Sequence, residues 1–596
     1  GSDIAIASGA TITNSGTATG FGSDAERAAA GVLQANANFV DQVIFGPAVD
    51  GMAWNGFWDK SGVYSSLMLA TIEDEGSNTE INIWDLTQQS AGVISTTPLA
   101  TIDLSADATP TSIAASMGYL IIGSEDGISI VDPHSGAWAE RTKGWPRTLS
   151  SSTTPALTNN DVTAVAAGLS STSPLDPRTG GPLPVFACAY GTGADVGSLI
   201  KYDGNVWDLA ATIGPETVCG FVDDRIALAQ ENSGNQALIS TTTIDAITAD
   251  DWGVSAYSGD NNTQQFSLGA NTAATFHNSD SVFADTTGLT IRRNDFIGST
   301  AAMQGVSAMV TRAFNTGFLI NYTKGAWLAN SKTVDRSGNA NTLTEAGTVT
   351  EAVVESSAEL LGYSAWSSSN YLSRASDADW DVVTTGSVYT SCWFKSSGPA
   401  AQEQLCGFGN SGATIRMGIV LNSDDTIMGE DDGATALVQV QTTATNWGDG
   451  VWHKVDWVRV SSTERHLYID GILEKSSTTD AGSLSDDGNL PFAVGIRPAT
   501  TANPATSSTI SLVHLSVTAP NATQIRQMYD SEKGMFVASA ECLLQSGTTD
   551  AVLDVNVDPL TNKVIVTQTD AITIFDGLAV DSKPTVNSGA SEKGKL

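Results

Sequence analysis

The sequence predicts an all-β chain, a β-propeller of about seven blades with a second β module set into it. Three observations lead there. Only 16% of the 596 residues are charged, against roughly 25% in an average domain, and Gly, Ser, Thr, Ala and Asn fill the deficit. Such a composition suits short strands joined by tight, hydroxyl-rich turns. Apolar and polar residues alternate with period two in short runs that stop at Asn, Asp or Gly, the pattern of half-buried strands. The runs also recur as a phrase roughly every 40 to 50 residues, the length of a four-stranded propeller blade.

The phrase is clearest in SIAASMGYLIIGSEDGISIVD, Ser112 to Asp132: an apolar strand, a turn, a second apolar strand, a turn at Gly, and a third strand ending at Asp. It returns from Val552 to Gly577, and in weaker copies at Ser65–Asp85, Val185–Gly204, Cys219–Thr241, Thr272–Asp295 and Ser307–Asn330. Each copy reads as an antiparallel meander of three strands, and a fourth follows in several, as in Pro98–Ala106. Counting copies gives about seven blades, whose radial closure leaves only short sheet edges.

Between Asn330 and Val552 the phrase is absent. The chain therefore divides into an N-terminal segment 1–44, a first part of the propeller 45–330, an insert 331–533, a completion of the propeller 534–583 and a tail 584–596. On this reading the insert interrupts one blade, and Met535–Gly547 supplies that blade's missing outer strand. Loops at a blade edge are exposed, so the propeller would fold with the insert removed.

The insert carries its own motifs. It opens with D-x-S-G-N-x-N at Asp335, Ser337, Gly338, Asn339 and Asn341, then has an aromatic-rich edge at Tyr371–Val382 and a central strand at Ser387–Gly398. From Gly450 to Ser476 runs GVWHKVDWVRVSSTERHLYIDGILEKS, in which a Trp, a strand and a hairpin end on an L-Y-I-D-G turn. A last strand and a short helix with Thr523, Ile525 and Met528 at helical spacing close it. These motifs resemble laminin-G-like, concanavalin-type domains, and the resemblance implies a jelly-roll sandwich without specifying a ligand.

The order of modules and the stretch Ala519–Phe536 together resemble tail-associated virion proteins of bacteriophages. That resemblance implies a structural and receptor-binding component of a virion tail. Such a component would be a symmetric homo-oligomer, bound to other tail proteins and contacting a host-surface glycan or protein. A secreted, extracellular bacterial carbohydrate-binding or adhesion protein is the alternative reading, and a polysaccharide-degrading enzyme a minor one.

Charge narrows the partners. Sixty-five acidic side chains against 28 basic ones give a formal charge of −37, a field that repels phosphate. Nucleic acid is excluded as a partner on that ground, and an anionic membrane surface is disfavoured. No run reaches the 18 or so apolar residues of a membrane helix, and GSDIAIASGATITNSG at the start shows no basic segment followed by an apolar core.

The five cysteines, Cys188, Cys219, Cys392, Cys406 and Cys542, form no C-x-x-C pair and read as small buried hydrophobes in a reduced compartment. Only Cys392 and Cys406 lie close in sequence, on what read as neighbouring strands. The histidines lack metal-ligand spacing, and neither G-x-S-x-G nor a P-loop occurs.

No catalytic residue is assigned, and the chain reads as a binding protein rather than an enzyme. Glu80–Asp85, E-I-N-I-W-D, is only superficially similar to the E-x-D-x-x-E strand of laminarinase-type glycosidases, because Asn82 stands in place of the central acid. Calcium is the one cofactor expected. Asp424, Asp425, Asp431, Asp432 and Asp470 crowd turns of the insert, and turns that offer carboxylates and carbonyls together suit an ion taking six to eight oxygens. Sugar contact is expected of Trp366, Asn370, Tyr371 and Trp380, with Asn446 and Trp447 in a later loop. An aromatic ring stacks on a pyranose face while amides bond its hydroxyls. Trp393, Trp452 and Trp457 alternate along strands and read as core.

Overall fold

In the computed structural model, residues 39–584 are described apart from 47–66, 132–147, 150–156, 211–217, 230–236, 257–272, 294–304 and shorter breaks. Most of the N-terminal segment and the tail from 585 on lie outside the described residues.

Alternating strands joined by tight turns build a propeller-like ring of antiparallel sheets. The described residues form five four-stranded blades, not the seven expected, together with one five-stranded sheet. The blades begin at Phe39–Phe45, Pro110–Ser116, Val162–Gly168, Val218–Val222 and Val552–Val557, and the five-stranded sheet at Ala273–His277. Each of these first strands packs on the first strand of the next sheet in sequence order, so the first strand is the inner one. Phe39–Phe45 thus belongs to the ring, although the sequence reading places all of it but Phe45 in the N-terminal segment 1–44.

The count falls short because alternation detects strands without saying which sheet they join. Ser307–Asn330 makes no blade of its own. Val306–Val310 and Leu319–Ile320 are the last two strands of the sheet begun at Ala273, and Thr323–Trp327 pairs instead with Ser508–Ser516.

Adjacent blades are tied by polar side chains and by close glycine contacts. The Ile113 amide donates to Asp41 Oδ2 at 3.0 Å, and the Thr111 hydroxyl to the Val162 carbonyl at 2.7 Å. Gly168 lies under Phe221 and Gly220 under Phe276, where in each case an added Cβ would come within 2.7 Å of the ring residue.

The second module is a sandwich. One sheet runs in the order Thr350–Val353, Leu361–Ser364, Ser508–Ser516, Val388–Ser396, Trp452–Ser461, Glu464–Ile469, Ile472–Ser477. The facing sheet runs Thr344–Ala346, Tyr371–Arg374, Phe492–Val494, Glu403–Gly409, Arg416–Leu421, Ile427–Asp432, Leu437–Gln441. Between them lies an apolar core that includes Trp327, Trp366, Trp380, Trp457, Phe408 and Phe492.

The sandwich lies in sequence between complete sheets and does not split a blade. Met535–Gly547 is not the outer strand expected. Its described residues contain the end of a 3₁₀ turn and irregular chain, held by Leu544 N to Thr311 O at 3.0 Å and Val580 N to Glu541 O at 2.7 Å.

The helix Ala522–Glu532 joins the two modules. Asn521 and Gln524 cap it reciprocally, each side chain bonding the other's backbone amide. Its apolar side, Ile525 and Met528, enters one core with Tyr389, Trp393 and Trp452 of the sandwich, Phe314 and Phe318 of the five-stranded sheet's end, and Val555 and Phe575 of the last blade.

Glu532 sits at the centre of this junction with no exposure. Its Oε2 accepts from Trp393 Nε1 at 2.6 Å and its Oε1 from the Phe318 amide at 3.0 Å. Burial raises its pKa to about 7. Nearby, Asp456 accepts from Lys454 and from the Tyr389 hydroxyl, and His514 reaches the Thr316 carbonyl at 3.3 Å.

Candidate functional site

The D-x-S-G-N-x-N turn is structural. The buried Asp335 accepts from the amides of Ala326, Ser337 and Asn341 and from the Ser337 hydroxyl, all at 2.7–2.9 Å. Asn339 and Asn341 donate to the carbonyls of Thr323 and Lys324, which stitches the turn to the sandwich's entering strand.

Strand register brings the other loops to one end of the sandwich. Tyr363 pairs with Ile510, Ile510 with Phe394, and Lys395 with Trp452, so the loops after Ser364 and Ser396 and before Trp452 share that end. In the facing sheet Leu372 pairs with Val494 and Val494 with Cys406, which adds the loops after Val494 and before Glu403. The turn Asn422–Thr426 joins them through the Trp447 amide, which donates to the Asp425 carbonyl at 3.2 Å.

This rim is rich in amides. Asn503 donates to Gln402, Gln402 to Asn422, and Asn422 to Thr426, at 2.8–3.1 Å. Beneath it the buried Glu403 accepts from Ser507 N, Thr506 Oγ1 and Ser508 Oγ, which fixes the loop ends.

Trp447 is half-buried between Asn446 and Asp449, which are both exposed. Its ring stands edge-on to the His453 imidazole, with centroids 5.0 Å apart. His453 Nδ1 lies 2.8 Å from Asp470 Oδ2, and its Nε2 lies 3.3 Å from Asp449 Oδ1. Burial alone would lower the His453 pKa, but Asp470 and Asp449 outweigh it and hold the imidazole above its usual value. Two polar atoms here, Trp447 Nε1 and Asp425 Oδ1, are buried without a hydrogen-bond partner. Gly448 packs so closely that a Cβ would fall 2.4 Å from Asp425 Oδ1. Chemically the rim offers an aromatic face, exposed amide and carboxylate groups and an imidazole, a set suited to a hydroxyl-rich ligand.

The residues expected to touch sugar divide. Asn446 and Trp447 belong to the rim. Asn370 and Tyr371 lie in or beside another loop of the same end, where Asn370 is occupied by the Thr348 amide and the Ala365 carbonyl. Trp366 is 2% exposed and packs on Gly495, and Trp380 is fully buried, its Nε1 donating to Leu490 O at 2.7 Å beyond the opposite end of the Tyr371–Arg374 strand. Both are core residues, as Trp393, Trp452 and Trp457 are. A run of aromatics and amides does not tell an exposed ring from one folded inward by a tight turn.

The five aspartates expected to bind calcium do not fit one ion. Asp431 is fully buried and neutralised by Arg459, which contacts both oxygens at 2.6–2.7 Å, and by Arg465. Asp424 accepts from the Thr426 hydroxyl, which with the Thr426 amide holds its carboxyl below the usual carboxylate range. Asp470 is taken by His453 and the Lys454 amide. Asp425 lies in the rim turn, and Asp432 ends the strand Ile427–Asp432. Among the described residues no group of three or more His, Cys, Asp or Glu side chains could hold a metal ion.

In the propeller, Asn82 donates to Glu73 and Glu80 at 3.0 and 2.8 Å, so the glycosidase-like strand holds an amide bridging two carboxylates. His453, Gln402, Asn422 and Asn503 gave no signal in the sequence, because only register brings their separate loops together.

Residues 367–526 match the family model Laminin_G_3, described as the concanavalin A-like lectin/glucanases superfamily. No curated protein matches the chain. Among solved structures, domain 4 of AbnA, a GH43 extracellular arabinanase from Geobacillus stearothermophilus in complex with arabinotriose, is similar at 16% identity and a TM-score of 0.29. That match covers 35% of this chain and 98% of the domain. The receptor-binding domain of botulinum neurotoxin C/D mosaic serotype is similar at 12% identity and a TM-score of 0.29, with 43% of this chain and 62% of that one covered. The binding domain of Paraclostridial Mosquitocidal Protein 1 is similar at 10% identity and a TM-score of 0.29, with 45% and 72% covered. At these values the likeness carries no argument about what this chain binds.

Proposed function

We propose that the chain is a recognition protein, in which the propeller is a mount and the rim loops of the sandwich contact a surface glycan. The observation that carries this reading is the Asn446–His453 loop, where a half-buried indole with an unpartnered Nε1 stands beside exposed Asn446 and Asp449. The match of residues 367–526 to a superfamily described by lectins and glucanases accords with it. A binding role is favoured over a catalytic one because Asp449 and Asp470 are engaged with His453, and Asp470 also with the Lys454 amide. The setting we propose is a bacteriophage tail, with the chain in symmetric copies among other tail proteins, on the strength of its module order and the stretch Ala519–Phe536.

Trp447→Ala tests the site in the full chain. Contact energy concentrates in a few aromatics, so binding to host cells or to an immobilised host glycan, measured well below the variant's melting temperature, should fall tenfold or more. Undiminished binding would remove the rim from the account. Purified particles lacking the protein would remove the tail setting and leave the extracellular adhesin reading.

A further inference from the structure

We propose that Cys392 and Cys406 are a latent disulfide site that staples the two sheets of the sandwich together when the chain folds under oxidising conditions. The two lie on facing sheets, not on neighbouring strands of one sheet as their spacing suggested: Cys392 is in Val388–Ser396 and Cys406 in Glu403–Gly409. Both thiols are free, fully buried and inside the core between the sheets.

Three features of the geometry bring the thiols together. Facing sheets usually pack about 10 Å apart, yet Cα atoms of these two strands approach within 8 Å. The first strand is bulged at Cys392, where register shifts between Ser391 and Trp393 against the Ser508–Ser516 strand, and the second is bulged at Leu405, next to Cys406. A bulge re-aims the side chain it carries. Thr390, two residues before Cys392, places its hydroxyl 3.6 Å from Cys406 Sγ, so Cys406 reaches across to the strand that carries Cys392, and both thiols line the same core.

The chemistry needs an external disulfide, such as oxidised glutathione. One cysteine thiolate attacks it, forming a mixed disulfide and releasing one glutathione thiolate. The second cysteine thiolate displaces the other glutathione. The protein gives up two protons and two electrons, and the oxidant becomes two reduced thiols. Both thiols are fully buried, so the folded state gives an oxidant no access, and the bond forms only while the core is open.

The test is refolding of the full chain from denaturant in a buffer of oxidised and reduced glutathione, against refolding in reductant. Peptide mapping after alkylation in denaturant should find a peptide linking Cys392 to Cys406, with two fewer alkylated cysteines. The same buffer added to already folded protein should leave Cys392 and Cys406 free. The bridged form should melt higher by roughly 6–12 °C, from the closure of a short loop. Cys392→Ala and Cys406→Ala should each abolish the linked peptide without creating another. Absence of the link after oxidative refolding, pairing with Cys188, Cys219 or Cys542 instead, or a lower melting temperature for the bridged form would overturn the proposal.

Discussion

At the scale of single residues, the most demanding groups are charges without solvent. Asp431 with Arg459 and Arg465 forms a buried triad with no side-chain exposure. Removing one partner of such a set strands the others, at about 3–5 kcal/mol. Asp431→Asn should lower stability by that amount in a denaturant titration. A loss below 1 kcal/mol would mean that the guanidinium donors find enough acceptors in Gly482, Ser462 and Thr479.

The junction residues set the response to pH. Glu532 has a folded pKa raised to about 7, so its contribution is complete below the unfolded carboxylate value and is lost as pH rises through 7. His514 behaves oppositely. Burial drives its pKa down to about 3, so its contribution is complete above 6.5 and is lost as pH falls toward 3. Between about pH 4.5 and 6.5 the two slopes oppose each other. Glu532→Gln should expose the histidine's slope, with melting temperature falling steadily on acidification below 6.5. His514→Gln should expose the carboxylate's, with melting temperature rising from pH 8 to 5 by the equivalent of about 3 kcal/mol. Parallel profiles for the two variants would refute the assignment.

At the scale of elements, neighbouring blades are fitted by glycine under aromatic. Gly220 lies so close to Phe276 that any side chain must move the ring. Gly220→Val should cost about 1–3 kcal/mol as overpacking, seen as an earlier urea midpoint. A second change, Phe276→Ala, should relieve part of that cost, whereas additive losses would show that the two do not share the contact. In the sandwich, the Asp470–Gly471 turn has both residues at positive φ, 52° and 74°, as a two-residue hairpin of this hand requires. That is why L-Y-I-D-G was recognisable in the sequence.

At the scale of the whole molecule, the modules share a core. The Ala522–Glu532 helix and Tyr389, Trp393 and Trp452 of the sandwich lie in one apolar cluster with Phe314, Phe318, Val555 and Phe575. Excising 332–533, which the sequence reading treated as harmless, would uncover these residues, and the product should aggregate or lose cooperative melting. A monomeric, cooperatively folding product would show that the junction adds nothing to the ring. The intact chain should melt the sandwich and the last two sheets in one calorimetric transition.

Local chemistry decided what could be read from sequence. Alternation and turn residues identify strands because side chains project to opposite faces with period two, and the meanders around Ile121 and Ile574 are of that kind. The D-x-S-G-N-x-N turn was legible because its hydrogen bonds close mostly within a few residues, and the helix after Asn521 because Ile525 and Met528 recur at helical spacing. Sheet membership was not, because Val306–Val310 pairs with Gly288–Arg293 through contacts that alternation does not encode, and so seven copies became five blades and a five-stranded sheet. The site was only half legible for the same reason. Trp447 was found as an aromatic in a loop, but whether a tryptophan such as Trp366 faces solvent or Gly495, and whether Asp431 meets an ion or two arginines, depends on residues distant in sequence that only the packed structure brings within a few ångströms.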